Sequence, residues 1–151
     1  MFDLIKHLVK NDIQHTVSDN GNITVTNNLD LEDVRGVDAL PDNLTVGGSL
    51  YLRGTSITAL PDNLTVGGSL DLRPEKITNV SYRENCGYSS RTIFAVWTGK
   101  EFRIAAGCFF GSIEQFEQAV DDKYNGSAAE AYKKAGRDCV TELTEKLNPK
   151  N

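Results

Sequence analysis

The chain has 151 residues, of which 39% are hydrophobic and 25% charged, with a formal net charge of -5. That size and content suit one ordinary domain, or two small ones sharing an interface, with enough apolar side chains for a real core. No run of about 18 apolar residues exists. The N-terminal MFDLIKHLVKND carries acids where a signal peptide has a long apolar stretch, so a cytoplasmic protein without membrane contact is expected. Cys86, Cys108 and Cys139 are too few and too widely spaced for a disulfide framework or a zinc cluster, so the expectation is reduced thiols and no metal or other cofactor. Charge is unevenly placed: residues 1 to 80 hold six Lys/Arg and eleven Asp/Glu, and residues 81 to 151 hold ten of each. The first part therefore disfavours phosphate backbones and favours cationic partners, and nucleic acid is not expected as a direct ligand.

From the N-terminus, Phe2, Leu4, Ile5, Leu8 and Val9 pattern residues 2 to 10 as a short amphipathic helix. The dominant feature beyond it is a duplication. Residues 39 to 58 (ALPDNLTVGGSLYLRGTSIT) and 59 to 78 (ALPDNLTVGGSLDLRPEKIT) agree at 16 of 20 positions, the exceptions being Tyr51/Asp71, Gly54/Pro74, Thr55/Glu75 and Ser56/Lys76. A degenerate earlier copy, ITVTNNLDLEDVRGVDALP, runs from Ile23 and aligns with Leu44 onward, with one extra residue before Val37. There are thus about three copies. Leu44, Val46, Leu50, Leu52, Ile57 and Leu60 recur as Leu64, Val66, Leu70, Leu72, Ile77 and Val80. The alternation at 44/46 and 50/52 is strand-like, because residues two apart share a face. Pro41 and Pro61 fix turns, and the pairs Gly47-Gly48 and Gly67-Gly68 are read as bend points. Such a period predicts a solenoid in which apolar positions stack into columns.

Residues 23 to 80 resemble the short leucine-rich repeats of bacteria, L-P-x-x-L…L-x-L-x-x-[N/T]-x-[L/I]-x-x-L-P. The resemblance implies that Leu50 and Leu52 lie on a strand of an inner sheet and that Thr55 occupies the asparagine-ladder position. The chain departs from the pattern with Thr55 and Glu75 in place of asparagine, and with GGS where many members have a second leucine. The cross-section of a coil stays open, a parallel β-helix-like form included. The GGSL-x-L strands and L-P-D-N-L turns also resemble small bacteriophage and prophage proteins.

After Val80 the pattern changes. Residues 92 to 98 (TIFAVWT) and 101 to 106 (EFRIAA) read as two strands around Gly99-Lys100. Ser112 and Gln115 form a capping-box signal for a helix over 113 to 124, with Ile113, Phe116, Val120 and Tyr124 on one stripe; Asn125-Gly126 stops it. A last helix over 127 to 147 is expected to bury Ala128, Ala131, Tyr132, Ala135, Cys139, Leu143 and Leu147. The expected fold is α+β: an N-terminal helix and about three leucine-rich-repeat-like or β-solenoid coils in residues 1 to 80, then a ββαα unit in residues 81 to 151 that caps the last coil.

Candidate chemistry is sparse. Cys108, in AAGCFFGS ahead of a helix, is the one thiol placed to be activated, yet a buried small side chain beside Phe109 and Phe110 is the stronger reading, since His7 and His15 belong to the other end. Cys86 and Cys139 are read as structural or exposed, and the two histidines, lacking a matched carboxylate or cysteine pattern, as surface or end residues. The GGS tripeptides lack the Lys-Ser/Thr of a phosphate loop. Residues 84 to 91 (ENCGYSSR) read as a plain linker between the repeats and the C-terminal unit, in preference to the alternative of a binding loop. Asp42/Asp62 and Arg53/Arg73 recur at 20-residue spacing as rows of charge. Paired, solvated charges explain such rows; a recognition face built from Tyr51, Arg53, Thr55, Asp71, Arg73 and Glu75 is the functional alternative, because Tyr and Arg anchor interfaces.

The favoured function is a non-catalytic protein-binding module, and the phage resemblance implies an accessory protein that inhibits a host defence factor, of anti-CRISPR or other anti-defence type. An acidic DNA-mimic inhibitor of a DNA-binding enzyme and a thiol enzyme using Cys108 are the alternatives. A host protein partner is expected, and self-association is allowed because bare strand edges are templates for pairing.

Overall fold

The computed structural model describes residues 2–86, 91–107 and 109–147. The architecture is α+β, with three α-helices and three sheets among the described residues. Helix α1 (Leu4–Lys10) is opened by Asp3, whose carboxylate accepts from the Lys6 amide at 3.1 Å, and it buries Leu4 and Leu8. Of the other apolar residues expected to close this end, Phe2 is partly buried, while Ile5 and Val9 face solvent.

Each copy then contributes two very short strands. Strands β1 (His15–Val17) and β2 (Ile23–Val25) form an antiparallel pair, and β2 is followed laterally by β4 (Thr45–Val46) and β6 (Thr65–Val66) in parallel. A second parallel ladder joins β3 (Leu29–Asp30), β5 (Leu50–Tyr51) and β7 (Leu70–Asp71). Both ladders place corresponding residues of the copies side by side: Val25, Val46 and Val66 in one, Leu29, Leu50 and Leu70 in the other. All twelve apolar positions named from Leu44 to Val80 are buried in one cluster, together with Ile23, Val25, Leu29, Leu31, Val37 and Leu40 of the degenerate copy.

The duplicated glycines serve a different purpose from bending. Neither Gly47 nor Gly67 has a positive φ; a Cβ on Gly47 would strike the Thr26 carbonyl, and one on Gly67 would strike the carbonyl of Gly47. They allow adjacent copies to touch backbone to backbone. The turns fall to Asn43 and Asn63, which hold left-handed conformations at φ 63° and 57°, suited to a short amide side chain. Side-chain ladders reinforce the same spacing. The Asn28 amide oxygen accepts from the Ser49 N–H at 2.8 Å, the Ser49 hydroxyl from the Ser69 N–H at 3.0 Å, and Asn63 donates to Asn43 at 2.8 Å. The ladder implied at Thr55 is thus carried at the serine of GGS, and Thr55 turns its hydroxyl back to the Leu52 carbonyl at 2.7 Å.

Asn79 ends the repetition. It stands where the earlier copies have Ala39 and Ala59, and its amide accepts from the Leu60 N–H at 2.8 Å and donates to the Leu60 carbonyl at 3.0 Å and the Trp97 carbonyl at 2.9 Å. From Val80 the chain enters an antiparallel sheet of four strands rather than the two expected: β8 (Val80–Cys86), β9 (Arg91–Trp97), β10 (Phe102–Ala106) and β11 (Phe109–Ser112), in the order β11-β10-β9-β8. The segment read as a linker at residues 84 to 86 is the end of β8, and its remainder at 87 to 90 lies outside the described residues.

Both faces of this sheet are covered, which explains why TIFAVWT is continuously apolar instead of alternating. Phe94, Val96 and Ala105 join the core of the repeats; Ile93, Ala95, Ile104 and Ala106 join a second core under the helices. Helix α2 (Ile113–Lys123) begins with the reciprocal Ser112/Gln115 capping box, and α3 (Gly126–Leu147) follows after a two-residue break. On α3 the inward stripe is Ala129, Tyr132, Gly136, Cys139 and Leu143, so Ala131, expected inside, is exposed. Gly136 lets the helices close, because a Cβ there would sit 2.7 Å from the Phe116 ring. Lys146 ties α3 to the end of the repeats by donating to the Ile77 and Val80 carbonyls, both at 2.8 Å.

Candidate recognition face

The β3-β5-β7 ladder has leucines 29, 50 and 70 turned into the core, so the next residue on each strand faces out. Asp30, Tyr51 and Asp71 consequently stand in one row across adjacent strands. Leu31, Leu52 and Leu72 are buried behind it, and two residues on, Glu32, Arg53 and Arg73 form a second outward row. The backbone bonds from Leu31 to Tyr51 at 2.9 Å, Asp33 to Arg53 at 3.0 Å and Leu52 to Asp71 at 2.7 Å keep these rows in step.

Electrostatics distinguish the two arginines. Arg53 is ion-paired diagonally with Asp71, and that bond, supported by the nearby Glu32 and Glu75 carboxylates, raises its pKa above the ordinary value. Arg73 is exposed and makes no ion pair among the described residues. It separates two depressions. One, of about 220 Å³, is lined by Leu52, Gly54, Thr55, Ile57, Leu72, Lys76 and Ile77 with Arg73 itself. The other, of about 340 Å³, runs from Arg53 and Glu75 to Glu84, Thr92 and Phe94 of the antiparallel sheet. The floor near Arg73 is a 3-10 turn over Pro74–Lys76, and Glu75 on it is exposed.

All six residues singled out in the sequence, Tyr51, Arg53, Thr55, Asp71, Arg73 and Glu75, therefore fall on this face or its adjoining turn. The expected row of basic charge is only half available, since Arg53 is neutralised. The acidic row is partly structural: the Asp42 carboxylate accepts from the Asp62 N–H at 3.0 Å. Asp30 and Glu32 were missed, although the alignment of Ile23 with Leu44 already sets them opposite Tyr51 and Arg53. Thr92 and Phe94 gave no sequence signal as site residues, because they arrive from a different sheet, and Glu84 lay in the segment read chiefly as a linker.

The other candidates separate widely. His7 lies against the Phe2 ring at 5.6 Å, and His15 Nδ1 is 2.7 Å from the Ile13 carbonyl. Cys139 is buried, with Sγ directed at the Ile93 carbonyl at 3.6 Å. Cys86 is the last residue of β8, and Cys108 lies outside the described residues. Among the described residues no group of three His, Cys, Asp or Glu side chains could hold a metal ion, and no helix is long and apolar enough to cross a membrane. In comparisons with family models, curated proteins and solved structures, nothing matches the chain.

Proposed function

We propose that the three copies form a short solenoid of leucine-rich-repeat type whose β3-β5-β7 face binds a protein partner without catalysis. One observation carries the reading. The two near-identical copies differ only at 51/71, 54/74, 55/75 and 56/76, and these positions cluster on the outward face and its turn, while every buried position is the same. A scaffold is held constant there while its contact surface varies. Stacked strands present that surface with little to order on association. Tyr51 supplies an amphipathic aromatic anchor and Arg73 a guanidinium that makes no ion pair among the described residues and suits a carboxylate of the partner; both residue types are enriched at binding hot spots.

The resemblance to phage and prophage proteins extends this reading to an accessory protein of anti-CRISPR or other anti-defence type, which acts in the host cytoplasm by occupying a host defence factor. Affinity capture from host lysate with the intact chain, beside the triple variant Tyr51→Ala/Arg53→Ala/Arg73→Ala, tests it. A discrete partner retained by the first and lost by the second, with thermal stability changed by less than about 1 kcal/mol, is the expected outcome. Equal retention by both would move the contact surface elsewhere. The surplus of acids on the repeat half favours a second reading, a DNA mimic; it predicts steep salt dependence and competition by duplex DNA, where the first predicts neither.

A further inference from the structure

We propose that the free edge of β1 is a self-association site, at which two copies of the chain pair β1 to β1 antiparallel about a two-fold axis through Thr16. The argument begins with hydrogen-bond alternation. The Gln14 carbonyl accepts from the Thr26 N–H at 3.1 Å, the Ser18 N–H donates to the Asn22 carbonyl at 2.9 Å, and Thr16 lies opposite Thr24 between them. Even-numbered residues therefore direct their backbone groups toward β2. In an antiparallel pair the intervening residues direct theirs the other way, so the N–H and C=O groups of His15 and Val17 point out of the sheet. Strand β1 ends the order β1-β2-β4-β6, and no described strand pairs with that side.

A second copy fits this edge in one register without remainder. With Thr16 on the axis, His15 lies opposite Val17 of the second copy and Val17 opposite its His15. Both are hydrogen-bonded pairs, so all four outward groups of each strand are matched. The segment also carries both signs of charge, Lys6 and Lys10 with Asp12 and Asp19, and so does not repel its own copy.

Side-chain exposure points to the same place. Val17 is opposite Ile23 and His15 opposite Val25, which puts them on the core side of the sheet. Yet Ile23 is 4% exposed and Val17 45%. The core face runs one strand beyond its cover. Ile5 at 40% and Val9 at 66% are the other exposed large apolar side chains among the described residues, and all three fall within the first 17 positions. The opposite end of the repeats is closed inside the chain, by the bond from Asn63 to the Thr98 carbonyl at 2.8 Å and by Phe94 and Val96. A three-residue strand buries less than the roughly 1,200 Å² of a stable interface, so the dimer is weak and concentration-dependent.

Sedimentation equilibrium of the full chain over a wide concentration range should show a monomer–dimer equilibrium. Val17→Pro removes an outward N–H, twice per dimer, and leaves the β1–β2 bonds in place; it should weaken the dimer roughly tenfold or more with an unchanged circular dichroism spectrum. Thr16→Cys should oxidise to a 16–16 cross-linked dimer identified by mass spectrometry, since a pair on the axis brings the two Cα atoms within disulfide reach. A chain that stays monomeric at the highest attainable concentration overturns the proposal, and so does a dimer untouched by Val17→Pro. Should the proline variant fail to fold, absence of the 16–16 cross-link under oxidation is equally decisive against it.

Discussion

The repeat half and the C-terminal half bury their side chains by different rules. In the repeats each strand is two or three residues long and its leucine or valine packs on the same residue of the neighbouring copy, so the core is a set of columns that sequence periodicity displays directly. In the C-terminal half a single sheet is buried on both faces, one by the repeats and one by α2 and α3, and no period in the sequence announces which residue faces which core. Regularity is local in the first case and tertiary in the second. The two are nonetheless welded, because Phe94, Val96 and Ala105 complete the repeat core.

That weld makes the comparison breakable. Leu50→Ala, at a fully buried column position, should cost about 3–5 kcal/mol in urea unfolding, and Ile104→Ala in the second core about as much. Both should shift one common transition; separate transitions would show that the halves fold independently. Asn79→Ala acts at the junction itself and removes three bonds to buried backbone, for about 2–4 kcal/mol. If the weld depends on it, this variant alone should make tryptophan fluorescence at Trp97 and far-ultraviolet dichroism disagree in midpoint.

Smaller effects sharpen the picture of each half. Gly67→Ala should cost about 1–3 kcal/mol through its collision with the Gly47 carbonyl, whereas a purely flexible glycine would lose little. Between the helices, Arg137 donates to Glu117 twice, at 2.8 and 3.0 Å, which lowers the Glu117 pKa from its ordinary 4.5. A lowered carboxylate pKa contributes stability above the unfolded-state value and loses it as pH falls through the folded-state value. Glu117→Gln should therefore cost less than about 1 kcal/mol at neutral pH, given the half-exposed arginine, and its difference from the parent should vanish in acid below the normal carboxylate range. Thermal unfolding of both proteins across pH 2 to 7, a range of about five units, checks the sign.

What could be read in advance follows the same division. The columns from Leu44 to Val80 and the Ser112/Gln115 cap were legible because both rest on neighbours at fixed spacing. Strand β8 was not, since VSYRENC is polar enough to pass for a linker; its Val80 and Tyr82 become apolar contacts only once the repeat core is beside them. Glycine pairs were legible as special positions, but their partner, a carbonyl one copy away, is invisible without the stack. For the candidate face, Asp30 and Glu32 follow from alignment with Tyr51 and Arg53. That Arg53 is spent on Asp71 while Arg73 is not depends on a diagonal contact between strands, which residue identity alone does not specify.

The close contact of Gly67 on Gly47 has a consequence for length. Because one copy meets the next through backbone and, the Arg53–Asp71 pair apart, through positions the two share, the 20-residue unit behaves as a tile whose upper and lower surfaces match. Another tile of the 39 to 58 sequence, set between the existing two, meets matching surfaces on both sides and leaves the Asn79 junction and the α1 end as they are. Recombination between such nearly identical segments can therefore lengthen the molecule in whole tiles, widening the exposed face by one strand at a time without any redesign of its ends.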